Sequence, residues 1–236
     1  EVYAGKEYYF NEAGQLVMIN VTAPIYPDAL AKALEAYAKA YEVDVKKTKV
    51  KDINLGIETI TNNYLDDAMS SYMFEDYAKA SELFGKAAEA SVTEPYNKVD
   101  TTALYNAGFT AWMMKDYPRA EEYFNKCVEA GYYYEGGEVF AKLADIYNNT
   151  ERKDAARDIL ENGFAKFPQS QSILIGLINY YLDSKQSPDR LFELIGEAKK
   201  NEPNNASLYY VEGNIYNELG QKDKAVESYY KCAEID

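Results

Sequence analysis

The sequence contains no histidine, two cysteines, one tryptophan and few arginines among its 236 residues. Without histidine, Ser-His-Asp triads, Cys-His pairs and histidine-containing metal sites are excluded. Adjacent carboxylates such as Asp66-Asp67 and Glu121-Glu122 would point in different directions from a helix, so they make poor catalytic pairs. We therefore expect a protein that is not an enzyme and that uses no cofactor or metal.

Long hydrophobic runs are also missing, because no stretch approaches the roughly 20 apolar residues of a membrane-spanning helix. The formal net charge of −14 would repel nucleic-acid phosphates and anionic membrane surfaces, although it is equally typical of a merely soluble protein. We expect basic or neutral protein partners. The sequence starts at Glu1 rather than Met, which leaves both the cytoplasm and export to the periplasm or cell envelope, after removal of a leader, open.

What the sequence does contain is a recurring phrase of aromatic, small and apolar residues. It occurs at Phe140, Leu143, Ala144, Tyr147, Ala156, Leu160, Gly163 and Pro168, and again at Tyr209, Gly213, Tyr216, Ala225, Tyr229 and Cys232. The phrase resembles the tetratricopeptide repeat (TPR), a pair of antiparallel helices of about 34 residues. The resemblance implies an all-α fold, a right-handed solenoid of stacked helix pairs with about six repeats. The Tyr-, Asn- and Lys-rich composition suggests a bacterial protein.

The small position in the second helix of each pair, helix B, gives the repeat boundaries. It recurs at Ala33, Ala80, Ala120, Ala156, Leu191 and Ala225, with successive differences of 47, 40, 36, 35 and 34. The predicted repeats form one domain over 1–236 and span residues 1–51, 52–92, 101–135, 136–169, 170–204 and 205–236. The excess length in the first repeat predicts a helix A over Val2 to Glu12, and then an insertion over 14–26 that forms a long loop or a short strand.

In the TPR family, the residue just after the small position of helix A and those three and four further along commonly face a concave groove. The same positions here, with Tyr105 and Tyr210 just before the small position, predict a two-part binding surface. The N-terminal part is aromatic and methionine-rich, with Met69, Tyr72, Met73, Tyr105, Phe109, Trp112 and Met113. The C-terminal part is polar, with Asp145, Asn148, Asn179, Asp183, Tyr210, Asn214 and Asn217. Two alternatives stay open: the aromatic residues could pack against a neighbouring helix, and the asparagines could cap helix ends.

These residue types favour a non-catalytic protein–protein interaction scaffold that binds an extended peptide or a partner protein. Asparagine can donate to and accept from a peptide backbone at once, so a row of asparagines could hold an extended chain. The Lys and Arg residues with which some TPR proteins clamp a carboxylate are missing from these positions. The alternative function is binding of a small molecule or glycan, since aromatic rings beside Asn and Asp also suit sugars.

Two further expectations concern packing. Cys127 and Cys232 occupy the same repeat position three repeats apart, which is too far for a disulfide, so both should be buried free thiols. The sequence ends at Asp236 directly after the sixth helix B. That end should expose Val226, Tyr230 and Ala233, an apolar patch that favours end-to-end self-association.

Overall fold

The computed structural model describes residues 6–21, 28–184 and 187–235. Over these ranges the chain forms a β-hairpin and then a succession of α-helices. The strands are β1 Lys6–Phe10 and β2 Leu16–Val21; the helices are α1 Ala29–Val43, α2 Val50–Met73, α3 Tyr77–Ser91, α4 Thr101–Met113, α5 Tyr117–Glu129, α6 Glu138–Asn149, α7 Lys153–Lys166, α8 Gln171–Ser184, α9 Pro188–Asn201, α10 Ala206–Glu218 and α11 Lys222–Ile235. The all-α repeat architecture predicted from the sequence is confirmed.

The helices group into two compact units, Glu1–Tyr132 and Tyr133–Asp236. In the first unit α1 packs on α2, and α2 to α5 pack each against the next. In the second unit α6 to α11 do the same, and α6 also contacts α8. Stacking of this kind lets each helix pair bury an apolar face that it could not bury alone.

The predicted small position of helix B lies in the core of both units. From the second repeat onward its residues are buried, namely Ala80, Ala120, Ala156, Leu191 and Ala225. One turn later along α3, α5 and α7 come Phe84, Phe124 and Leu160, which are also buried. Burying such a side chain stabilises the fold by about 1.5–3 kcal/mol. Small residues beside large ones let neighbouring helices approach closely and still fill the space between them.

Aspartate side chains fix where three helices of the first unit begin. Each precedes its helix and accepts a hydrogen bond from a backbone N–H of the first turn, as Asp76 does for α3, Asp100 for α4 and Asp116 for α5. The first backbone N–H groups of a helix lack partners within the helix, so such a cap stabilises that end by about 1 kcal/mol.

The predicted helix over Val2 to Glu12 is wrong where the structure describes it, because Lys6–Phe10 is a strand. It pairs antiparallel with Leu16–Val21, so the short-strand alternative for the insertion is confirmed, whereas residues 22–26 lie outside the described ranges. The Asn11 side chain accepts hydrogen bonds from the N–H groups of Ala13 and Gln15, at 3.1 and 2.9 Å. Gly14 has a φ of 75°, which a hairpin turn requires and glycine readily adopts.

The tyrosines and phenylalanine of β1 explain why a strand forms there, since aromatic residues favour strands over isolated helices. The Tyr9 ring packs edge-on against Phe74 at the end of α2, with 5.3 Å between ring centroids. The hairpin therefore lies against α2 in the place of a first helix A. None of the helices in the described residues is both long enough and apolar enough to cross a membrane.

Candidate functional site

The predicted apolar surface corresponds to two patches in the first unit. Met69 and Met73, which we call the α2 patch, lie one turn apart and are both exposed. Phe109, Trp112 and Met113, the α4 patch, share one face of α4, and the rings of Phe109 and Trp112 stack with centroids 6.0 Å apart. Met113 of the α4 patch is exposed, whereas Phe109 and Trp112 are half-buried, and in both patches the residues follow one another at a spacing of about one helical turn.

Two of the predicted residues in this unit belong to the packing instead. Tyr105 is only 7% exposed, and its ring lies 6.0 Å from Phe109 and 5.9 Å from Phe124 between centroids. Tyr72 is half-buried against a core cluster that includes Ala68 and Phe84. Tyr105 thus supports the α4 patch from beneath, and Tyr72 joins the α2 patch to the core.

In the second unit, three of the predicted polar residues line a single cleft of about 510 Å³, here called the polar cleft. Asn148 comes from the end of α6, and Asn179 and Asp183 lie one turn apart on α8. Lys153 and Asp154, at the start of α7, complete the charged part of the lining. The volume lies within the range of about 300–1,000 Å³ that is usual for ligand sites.

The floor of the polar cleft is apolar and tightly packed. It is formed by Ala156 and Leu160 of α7 and Gly176 of α8. A Cβ atom at position 176 would lie 2.9 Å from Cδ1 of Leu160, closer than such atoms can approach. Glycine therefore lets α8 approach α7 and sets the depth of the cleft.

Hydrogen bonds fix one wall of the polar cleft. The Tyr180 hydroxyl donates to Oδ1 of Asp154 at 3.0 Å, and Nη1 of Arg157 donates to the same hydroxyl at 3.3 Å. Burial, followed by the hydrogen bond to Asp154, raises the pKa of Tyr180 above its usual value, so the phenol is neutral at physiological pH. The wall is thus a neutral, oriented ring.

Three other polar side chains of the cleft are available to a ligand. Over residues 6–21, 28–184 and 187–235, no hydrogen bond or ion pair involves the side chains of Asn148, Asn179 or Asp183. Asn179 and Asp183 are exposed as well. Two amides and a carboxylate therefore offer both donors and acceptors at one place.

The other predicted residues of this unit lie outside the lining of the polar cleft. On α10, Tyr210 and Asn217 are exposed, and Oδ1 of the half-buried Asn214 accepts a hydrogen bond from the Tyr229 hydroxyl at 2.8 Å. Because its carbonyl is engaged, Asn214 presents its N–H donors. On α6, the half-buried Asp145 accepts a hydrogen bond from the Asn149 side chain at 3.1 Å.

The sequence did not indicate four of the residues that line the polar cleft. These are Lys153, Asp154, Tyr180 and Ser184. The positions taken over from the family were confined to helix A, whereas Lys153 and Asp154 begin helix B. Their place directly after the turn from α6 to α7 is the signal that could have revealed them. Among the described residues, no group of three acidic or cysteine side chains could hold a metal ion.

Comparison with known proteins agrees with this architecture. The family model for the tetratricopeptide repeat matches residues 101–130 and 206–236, whereas no curated protein matches the chain significantly. A crystal structure of the MamA protein is similar with a TM-score of 0.61 and 22% sequence identity, covering 74% of this chain and 91% of that one. The crystal structure of YrrB, "a TPR protein with an unusual peptide-binding site", has a TM-score of 0.57 and 20% identity, covering 86% and 94%.

The stacked helix pairs, with small residues at the contact positions, define an all-α solenoid of repeats. Residues 101–130 and 206–236 match the tetratricopeptide repeat itself, and the fold of the chain is that of solved TPR structures.

Proposed function

We propose that this protein is a non-catalytic interaction scaffold that binds an extended peptide, or an extended segment of a partner protein, on its helix A faces. The observation that carries the proposal is the polar cleft, where Asn148, Asn179 and Asp183 come together with no partner recorded among the described residues. The peptide-binding site named for YrrB supports the same kind of ligand.

The chemistry of the polar cleft suits a peptide main chain. An extended peptide presents a donor and an acceptor at every residue, and an asparagine amide matches both without reading the side chains. Asp183 and Asp154 lie beside Lys153, so the cleft is slightly acidic. Together with the net charge of −14, this favours a basic or neutral segment over an acidic one.

The first unit adds a different kind of recognition. Phe109, Trp112 and Met113 of the α4 patch offer a partly exposed apolar surface on which an aliphatic or aromatic side chain of a partner can bind. Such aromatic residues supply most of the binding energy in many interfaces. We therefore assign main-chain recognition to the second unit and apolar anchoring to the first.

Selection from a phage-displayed library of unstructured 12-residue peptides would test the proposal. Peptides enriched on the wild-type protein are then synthesised, and their affinities are measured by isothermal titration calorimetry. In the triple variant Asn148→Ala, Asn179→Ala and Asp183→Ala, the affinity should fall by about tenfold or more, since each loss leaves peptide groups unpaired at a cost of about 1 kcal/mol.

A matched control places three alanines at exposed residues that line neither the polar cleft nor the patches, namely Asn162, Gln169 and Asn201. This control should bind the peptides as the wild type does. Enriched peptides that bind equally well to the triple variant, or a library that yields no enriched peptide, would contradict the proposal. Specific binding of a sugar, lost in the triple variant, would instead favour the glycan alternative.

A further inference from the structure

A second cleft in the first unit lies between two B helices, and we call it the apolar cleft. It has a volume of about 370 Å³ and is lined along α3 by Gly85, Ala88 and Val92. From α5 come Tyr123 and Ala130. The small residues open the cleft, and a Cβ atom at position 85 would collide with the Tyr123 hydroxyl. Exposed Val92 lies at one edge, so the cleft offers apolar surface to solvent.

The rim of the apolar cleft is negatively charged. Glu89, Asp100 and Glu129 contribute carboxylates to its lining. The one cation of the lining, Lys126, is bound to Glu122 at 2.7 Å, so its charge is already compensated. Burial raises the pKa of Tyr123, and the negative charge of Glu89 raises it further. The second cause agrees with an acidic environment around the phenol. The cleft therefore fits an apolar side chain flanked by positive charge.

The same chain presents such a segment between α1 and α2. Four lysines fall within the six residues 46–51, the densest positive charge in a protein of net charge −14. Directly before them stands Val45, whose side chain is 87% exposed. No hydrogen bond or ion pair of Lys46 or Lys51 is recorded over the described ranges. We call residues 44–51, which include the first two residues of α2, the lysine loop.

Hydrogen bonds already hold the lysine loop in one shape, so little conformational entropy is lost when it binds. Oδ2 of Asp44 accepts from the backbone N–H of Lys49 at 2.7 Å. Nζ of Lys47 donates to the carbonyl of Tyr41 at 2.8 Å. Two of the lysines thus contribute to the fold near the loop, while Val45 and Lys46 point their apolar and charged groups outward.

We propose that the lysine loop of one molecule docks in the apolar cleft of a second copy of this chain, with Val45 in the cleft and Lys46 and Lys51 against Glu89 and Glu129. The two surfaces are different patches of the same molecule. Contacts of this kind are heterologous, and they continue from copy to copy unless the assembly closes into a ring. This gives the protein a route to self-assembly that uses no residue of the polar cleft or of the α4 patch.

Complementary charge reversal tests this docking. The cleft variant carries Glu89→Lys and Glu129→Lys, and the loop variant carries Lys46→Glu and Lys51→Glu. Sedimentation velocity at several protein concentrations and at low salt should show association of the wild type. Each variant alone should associate at least about tenfold more weakly, since like charges meet at the contact. An equimolar mixture of the two should regain association, because both kinds of contact in the mixture pair opposite charges.

One control and one further variant make the outcome specific. The control variant Glu35→Lys with Glu218→Lys changes the net charge by the same amount as the cleft variant, but at exposed positions outside the apolar cleft. It should associate as the wild type does. Val45→Asp should weaken association without affecting the fold, as circular dichroism verifies. A wild type that stays monomeric at the highest concentration, variants that associate normally, or a folded mixture that does not regain association would each overturn the proposal.

Discussion

The hydrogen bond between Tyr229 and Asn214 allows a test of how a helix B residue orients a side chain of the proposed binding surface. In Tyr229→Phe the ring stays over Gly213, against which it packs, and only the hydroxyl that donates to Oδ1 of Asn214 at 2.8 Å is lost. Both residues are half-buried, so water can replace the hydroxyl. We therefore expect a loss of about 0.5–1 kcal/mol in the free energy of unfolding, the lower part of the range for one hydrogen bond.

This loss is measurable by thermal unfolding. A change of 1 kcal/mol shifts Tm by about 2–4 °C in a protein of this length, so Tm should fall by about 1–4 °C. Tyr210→Phe is the matched control, because Tyr210 is exposed and its hydroxyl makes no recorded hydrogen bond in the described ranges. Its Tm should equal that of the wild type.

Tyr229→Phe should also lower the affinity for a peptide, by a larger fraction of the binding free energy than of the free energy of unfolding. Without the hydroxyl, the Asn214 amide rotates freely, and ordering it on binding costs about 0.5–1.5 kcal/mol. Affinity for a selected peptide that contacts this amide should therefore fall about two- to tenfold. In the background of Asn214→Ala, the change Tyr229→Phe should have no further effect on affinity, since the two residues act as one unit. An equal loss of affinity in both backgrounds would refute the reasoning.

Three further predictions concern other residues. The double variant Asn179→Ala and Asn214→Ala should bind a peptide that spans both sites more weakly by roughly 1–3 kcal/mol, without unfolding; calorimetry with circular dichroism checks both. Trp112→Ala should lower the free energy of unfolding by about 1–3 kcal/mol, less than for a fully buried Trp, and urea titration followed by circular dichroism measures it. Burial raises the pKa of Cys127 to about 12, so at pH 8 only about one thiol in 10,000 is ionised; DTNB should label Cys232 first and Cys127 only on unfolding. Because the folded state disfavours the thiolate, the contribution of Cys127 to stability is complete below the unfolded pKa of about 8.5 and is lost as the pH rises toward 12.

The repeat pattern predicted the helix pairs well because the core positions obey a strict steric rule. Ala120, Ala156 and Ala225 are small where two helices meet, and a larger residue there would hold the helices apart. The first repeat does not follow this rule. Ala33 is only half-buried, and the strand β1 lies where the sequence predicted a partner helix. The aromatic residues of β1 pack on α2 as a hairpin, which a pattern of helical spacing cannot reveal.

The surface was harder to predict, because solvent-facing positions are constrained by their neighbours only weakly. The helix A rule selected Asn148 and Asn179, which line the polar cleft, and Tyr105 was added to the predicted surface one turn before the small position of α4. That residue lies one turn before Phe109 and faces Phe124. Cys232 was expected to be buried like Cys127, but it is half-buried on α11, the last helix that the structure describes.

A comparison of equivalent repeat positions shows how a packing residue can also orient a polar side chain on the neighbouring helix. Leu160, Ile195 and Tyr229 occupy the same place in three successive B helices, 35 and 34 residues apart. The first two are buried and apolar, and they only fill space. Tyr229 fills the same space with its ring, but its hydroxyl reaches the surface and orients Asn214. The orientation of a polar side chain on helix A in this protein therefore depends on the helix B residue behind it, and exchanging Tyr229 for the Leu or Ile of the other repeats should release the Asn214 amide.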